Sequence, residues 1–222
     1  MSRRLRELQH LDDLPGACRE CVFWEAPGSA QGPAGADGRA GKDAWWRAAE
    51  LEWGVAGRGA YVDDACVGYV TFGPADLFPR VRAAGKAPSE DALLLATLWV
   101  APEHRGASVG RALLDAVLRE AGKRGLRAVE AMATRVADPS EWRCLTPETF
   151  LTAHGFAVLQ DDPLHPLLRL DLRQTVRWRE QVGQALESVV SVLRPKERLP
   201  HPAPGGGGLA RARRLRAGRG HG

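Results

Sequence analysis

The apolar residues of this chain recur with two different periods, and the alternation between them predicts most of its elements. Residues 3–9 read as a short first strand. A turn or helix starts at Asp12 and Asp13 and runs through Cys18 to Trp24. Residues 26–41 are Gly, Ala, Pro and Ser with little periodicity and read as a mobile excursion. Lys42–Trp53 is helical in pattern, with Trp45, Ala49 and Trp53 on one side and Trp46 close to it. Gly59–Val62 and Cys66–Phe72 predict a hairpin turned by Asp63-Asp64. Residues 73–91, with prolines at 74, 79 and 88, read as a long loop of the kind that often forms a lid. Ala92–Val100 is a continuous apolar run, expected as a buried strand. Val109, Ala112, Leu113, Ala116, Val117 and Glu120 follow at helical spacing, with Gly125 as the stop. Arg127–Ala133, Phe156–Gln160 and Leu167–Leu172 complete the strands. A helix opens at Pro147 and runs to about His154, and 134–146 is irregular. Arg173–Leu193 carries an apolar stripe of Trp178, Val182, Ala185, Leu186, Val189 and Leu193.

Candidate chemistry concentrates in the segment Leu98 to Arg111, where a strand, a turn of small residues and a helix start follow one another. Free backbone N–H groups converge at a helix start and the helix dipole favours negative charge, so this arrangement suits an anion. The turn has neither the Gly-Lys-Ser/Thr ending of a Walker A loop nor the Gly-x-Gly-x-x-Gly spacing of a dinucleotide fingerprint. Ser108 sits inside it. With positive φ it carries strain of about 1–3 kcal/mol; with negative φ its hydroxyl caps the helix or meets a phosphate oxygen.

Arg105 and Gly110, preceded by Val-x-Pro-Glu-x-Arg-Gly, resemble the Arg/Gln-x-x-Gly-x-Gly/Ala acyl-CoA loop of the GNAT acetyltransferase superfamily, with Ser108 in place of the middle glycine. A second match runs from Cys144 to Phe156 and is similar to the later motif of that superfamily. There Gly155 and Phe156 agree, Cys144 stands where Asn is usual, and Leu151 where Tyr is usual. Cys-Arg-x-Cys-Val-Phe-Trp-Glu near the N-terminus also resembles an uncharacterised actinobacterial branch. The resemblance covers about residues 3–172. It implies an α/β fold with a central mixed, mostly antiparallel sheet flanked by helices.

The resemblance further implies acetyl-CoA as cosubstrate and an amine acceptor. Backbone groups of Leu98 and Val100 would pair with the pantetheine arm, and the Val100 N–H would be the oxyanion donor. Residues Arg105, Gly106, Ala107, Ser108, Val109, Gly110 and Arg111 would hold the pyrophosphate. Trp99 shapes the wall of the same site or simply packs in the core. Glu130, mid-strand beside the motif strand, is either the general base or an outward, solvated residue. Cys144 is the candidate proton donor to the departing thiolate, or a wall residue.

Charge and cysteines change the picture only at the ends. Of the net charge of +4, residues 195–222 hold seven Lys/Arg against one acid, leaving residues 1–194 at about −2. The domain plan is therefore a GNAT-like unit over 1–172, an amphipathic helix over 173–194 and a disordered basic Pro/Gly/Arg tail over 195–222. The helix suits packing on the domain or a homodimer. The tail suits solvation or weak nucleic-acid contact through Arg211, Arg213, Arg214, Arg216 and Arg219, although no aromatic residue is interleaved for stacking. No apolar run has the roughly 20 residues of a membrane span and no secretory signal opens the chain, so a cytoplasmic location is expected. Cys18-x-x-Cys21 has a metal or redox spacing, but without a second such pair or a histidine at ligand spacing; reduced thiols and no metal are expected. The six histidines make no Ser-His-Asp constellation. Two alternatives to catalysis stay open at this point: a non-catalytic acyl-CoA-binding module, and a nucleic-acid-associated protein acting through its tail.

Overall fold

The computed structural model describes residues 3–26, 36–136 and 144–173. The chain divides into a unit of residues 1–182 and a second of residues 183–222. The second unit, all but the first residue of the helix expected over 173–194 and the basic tail lie outside the described residues, as does the 27–35 part of the expected excursion.

Eight strands form one sheet. β1 (Arg3–Glu7) leads through a short α1 (Gly16–Arg19) to α2 (Ala36–Trp53). β2 (Gly57–Val62) and β3 (Ala65–Gly73) form the expected hairpin. Its turn places Asp63 and Asp64 at φ of 47° and 67°. Two consecutive left-handed residues define the turn whose twist matches a hairpin, and Asp tolerates that region better than most side chains. Residues 73–91 are more structured than their prolines suggest, since they include α3 (Arg80–Ala83). β4 (Ala92–Val100), α4 (Val109–Lys123) and β5 (Ala128–Thr134) follow the predicted order, and Gly125 at φ +71° ends α4. A two-residue β6 (Thr146–Pro147), α5 (Glu148–Ala153), β7 (Ala157–Gln160) and β8 (Leu167–Asp171) complete the unit. The spatial order is β1-β2-β3-β4-β5-β8-β7, with β6 beside β5. Only the β4–β5 and β5–β6 pairs are parallel. The sheet is therefore mixed and mostly antiparallel, as expected.

Each face of the sheet buries its own core. On one side Leu113, Val117 and Ala121 of α4 and Leu151 of α5 pack on Val70, Phe72, Leu93, Leu95, Val129 and Ala131. On the other, Trp24, Trp45, Trp46 and Phe78 pack on Leu94, Ala96, Met132 and Leu167. Three tryptophans in one layer explain why α2 starts at Ala36 and not at Lys42. Its last three turns are anchored by large buried rings, and the buried Lys42 Nζ lies 2.6 Å from Glu25 Oε1. Burial of this size outweighs the poor helix propensity of Gly38 and Gly41. Arg80 fixes α3 by donating to the carbonyls of Phe23 and Ala26. No helix among the described residues is long and apolar enough to cross a membrane.

Several carboxylates are held by guanidinium groups. Hydrogen bonds from Arg169 keep Asp91 below its ordinary pKa. Burial pulls Glu120 upward, but Arg124 and Arg58 outweigh it and the net shift is downward. Arg135 lowers Glu148. A carboxylate depressed in the folded state stabilises it above the unfolded pKa near 4, and that contribution disappears as pH falls through the folded value. Through these carboxylates stability is thus expected to drop below roughly pH 4. Urea unfolding at pH 7, 4 and 3 checks this, and Glu120→Gln should flatten the acid limb.

Candidate active site

One irregularity in β4 makes the site. Thr71 pairs with Thr97 but Phe72 pairs with Leu95, so Ala96 is an extra residue and β4 carries a bulge. At the same place β4 parts from β5, since their pairing runs only from Ala92–Ala128 to Leu95–Ala131. Beyond it, Leu98 and Val100 turn toward the α4 core while Trp99 packs on the opposite one, beside Tyr69 at 6.0 Å between ring centres.

The gap leaves backbone groups free. In an antiparallel strand the N–H and C=O of one residue point to the same side, and successive residues alternate. The Ala101 N–H donates to Val67 O at 2.9 Å, toward β3. Val100 and Leu98 therefore aim their backbone groups away from β3, into the opening. The Val100 carbonyl there accepts from Arg105 Nε at 3.1 Å.

The opening is a cleft of about 540 Å³ lined by Leu98, Trp99, Val100, Arg105, Gly106, Ser108, Val109, Gly110, Arg111, Leu145, Thr146, Pro147, Phe150 and His154. α4 aims its N-terminus into it. The first turn contains no acid, and the N–H groups of Val109, Gly110 and Arg111 precede the first intrahelical donor, Ala112, which bonds Ser108 O at 3.0 Å. Arg105 and Arg111 add positive charge. Gly110 keeps the floor low: a Cβ there would meet the Phe150 ring at 3.3 Å and Leu98 at 3.6 Å.

Ser108 takes the left-handed alternative, at φ 63° and ψ 10°, with no side-chain capping bond. A non-glycine residue in this region costs about 1–2 kcal/mol. Ser108→Gly is therefore expected to stabilise the fold by about 1 kcal/mol, read as a higher urea midpoint at unchanged m-value.

The family model of the acetyltransferase (GNAT) family matches residues 22–145, more than half of the chain. The chain belongs to the GNAT acetyltransferase family. It is an acyltransferase, and acetyl-CoA is its cosubstrate. Among solved structures, it resembles an N-acetyltransferase from Staphylococcus aureus Mu50 at 15% identity over 78% of this chain and 99% of that one, with a TM-score of 0.53. It also resembles the PaiA N-acetyltransferase from Thermoplasma acidophilum in complex with coenzyme A, at 17% identity over 77% of this chain and 99% of that one, with a TM-score of 0.47. At 15% identity the likeness to the Staphylococcus aureus protein is one of fold. No curated protein matches the chain.

Within this GNAT fold, nine of the residues singled out for cofactor contact line the cleft; Ala107 lies outside it, on an adjoining cavity of about 300 Å³ toward β1 and β2. Two expected catalytic side chains are placed elsewhere. Glu130 is fully buried and is neither a cleft residue nor solvated. It pairs across β4 with Leu94, before the strands part, and across β8 with Arg169. Its Oε1 lies 2.9 Å from Arg169 Nη1, and its Oε2 accepts from the Ser89 N–H at 3.0 Å. Arg169 also binds Asp91 and Asp171. Glu130 is thus the buried partner of a structural ion network. Cys144 stops just short of the cleft wall and packs beside Cys21, with 3.5 Å between the sulfurs. Among the described residues no group of three or more His, Cys, Asp and Glu is placed to hold a metal.

Leu145, Thr146, Pro147, Phe150 and His154 also line the cleft, beyond the residues expected from the sequence. The signal was present in the 144–156 match, but periodicity places α5 without saying that it closes over the gap between β4 and β5. His154 Nδ1 lies 2.7 Å from the Phe150 carbonyl, which can only accept, so Nδ1 donates there.

Proposed function

We propose that this chain transfers an acetyl group from acetyl-CoA to an amine by direct attack in a ternary complex. The observation that carries this reading is the coincidence of the Ala96 bulge, the parting of β4 from β5 and the bare N-terminus of α4 in one cleft. The pyrophosphate lies against the N–H groups of residues 109–111, with Arg105 and Arg111 supplying charge. The pantetheine amides take the Leu98 and Val100 backbone groups that face the opening, the Val100 carbonyl being shared with Arg105 Nε, and replace the strand pairing that β4 loses after Leu95.

The acceptor nitrogen attacks the thioester carbonyl, and the Val100 N–H stabilises the developing oxyanion. Collapse of the tetrahedral adduct breaks the C–S bond. The thiolate and the ammonium proton leave as CoA thiol, directly or through solvent. Holding both reactants in one geometry supplies most of the acceleration, because a thiolate is a fair leaving group. Trp99, between the cleft and the aromatic core that includes Tyr69, forms the wall on the acceptor side.

The test is amine-dependent release of CoA thiol from acetyl-CoA with a panel of small amines, peptide N-termini and lysine peptides. Intersecting double-reciprocal plots for one acceptor are expected. Parallel plots would point to an acetyl-enzyme intermediate, and no release with any amine would overturn the reading.

A further inference from the structure

The structure joins two cysteines that the sequence keeps 123 positions apart. Cys21 follows α1 and Cys144 precedes the cleft wall, and both are half-buried free thiols with sulfurs 3.5 Å from each other. Cys18, the other half of the Cys-x-x-Cys spacing, hydrogen-bonds with the buried phenol of Tyr69 beside this pair. We propose that Cys21 and Cys144 are an oxidative modification site, which hydrogen peroxide converts to a disulfide tying the N-terminal segment to the wall of the cleft. This inference is independent of the acetyl-transfer reading.

The surroundings support unequal roles. The Cys144 thiol donates to Cys21, burial opposes the charge, and the Phe23 N–H and Lys42 favour it; the net effect pulls Cys21 down to about 6. Cys144 moves upward, because its proton is held between the two sulfurs and it is the more buried. Lys42 and Glu25 form a buried pair beside them, and Cys18, Arg80 and Tyr69 also face the thiols. Cys21 is the attacking thiolate and Cys144 the resolving thiol.

In the first step the Cys21 sulfur takes one peroxide oxygen. The O–O bond breaks, and hydroxide leaves and is protonated to water. In the second, Cys144 loses its proton and attacks the Cys21 sulfenic sulfur; the S–O bond breaks, and the hydroxide departs with that proton as water. Two thiols are oxidised and one peroxide is reduced to two waters. The new bond precedes Leu145, Thr146 and Pro147, so it fixes three wall residues to the segment at Cys21.

The experiment is limiting hydrogen peroxide on the full chain, followed by non-reducing tryptic mass mapping. Trypsin cuts at Arg19, between Cys18 and Cys21, so each pairing yields its own product. The expected main product links Glu20–Arg39 to Cys144–Arg169, and dithiothreitol reverses it. Cys18→Ser and Cys66→Ser keep that product. Cys144→Ser, which leaves the attacking thiol in place, stops at an unlinked Cys21 sulfenic acid captured by dimedone. A Cys18–Cys21 link as the main product would overturn the proposal. So would dimedone labelling of Cys66 or Cys18 in place of Cys21, or four thiols still titratable after peroxide.

Discussion

Gly110→Glu is expected to abolish measurable acetyl-CoA binding while leaving the fold intact. The glycine is the second residue of α4, on the floor of the cleft and 3.3 Å from the Phe150 ring by its missing Cβ. A carboxylate there sets like charge against the pyrophosphate and fills its space. Uncompensated juxtaposition of this kind costs several kcal/mol, and even about 2 kcal/mol raises Kd roughly 30-fold. The substitution should not unfold the chain. Glutamate is a better helix former than glycine, and negative charge in a first turn suits the helix dipole. Phe150 has only to give by a few tenths of an ångström. The informative pair of measurements is equilibrium dialysis with labelled acetyl-CoA and a thermal melt without it. Retained affinity would place the pyrophosphate elsewhere. Gly110→Gln, equal in bulk and neutral, separates the charge effect from the steric one.

Arg169→Met is expected to destabilise the fold by about 3–5 kcal/mol, the largest effect on stability. The reason is Glu130, which has no solvent exposure and would be left with only the Ser89 N–H as partner. Asp91 and Asp171 would lose the same guanidinium. The double variant Arg169→Met, Glu130→Gln should recover much of the loss, because it removes the unpaired charge rather than replacing the pair. Urea unfolding of the two variants and the parent gives both values. A loss below about 1 kcal/mol in the single variant would mean that water reaches Glu130.

The two residues behind these predictions were unequally legible in the sequence. The place of Gly110 at a helix start could be read because its surroundings are local: strand, turn and helix start lie within 20 residues, and each follows from its own periodicity. The hairpin at Asp63-Asp64 and the stop at Gly125 were readable for the same reason, since turn chemistry depends on a few neighbouring residues. Glu130 was not. Its place in a strand followed from the pattern of 127–133, but its meaning depends on Arg169, which only the β5–β8 register brings opposite. Cys144 is the same case, since nothing in Cys18-x-x-Cys21 points to a partner 123 residues away. The start of α2 at Ala36 was hidden by glycines, and its cause is tertiary: Trp45, Trp46 and the Lys42–Glu25 pair hold a helix that propensity alone would begin later. Ala96 is the subtlest. A bulge leaves no mark in a uniformly apolar strand, yet it decides where β4 parts from β5 and hence where the cleft opens.

Calorimetric titration of the full chain with acetyl-CoA is decisive, because in the proposed reading the cleft, the free edge of β4 and the bare N-terminus of α4 all serve one ligand. One site per chain in the micromolar range is expected, with CoA itself competing for it. Absence of saturable heat with the folded chain, or binding that Gly110→Glu leaves unchanged, would contradict the account.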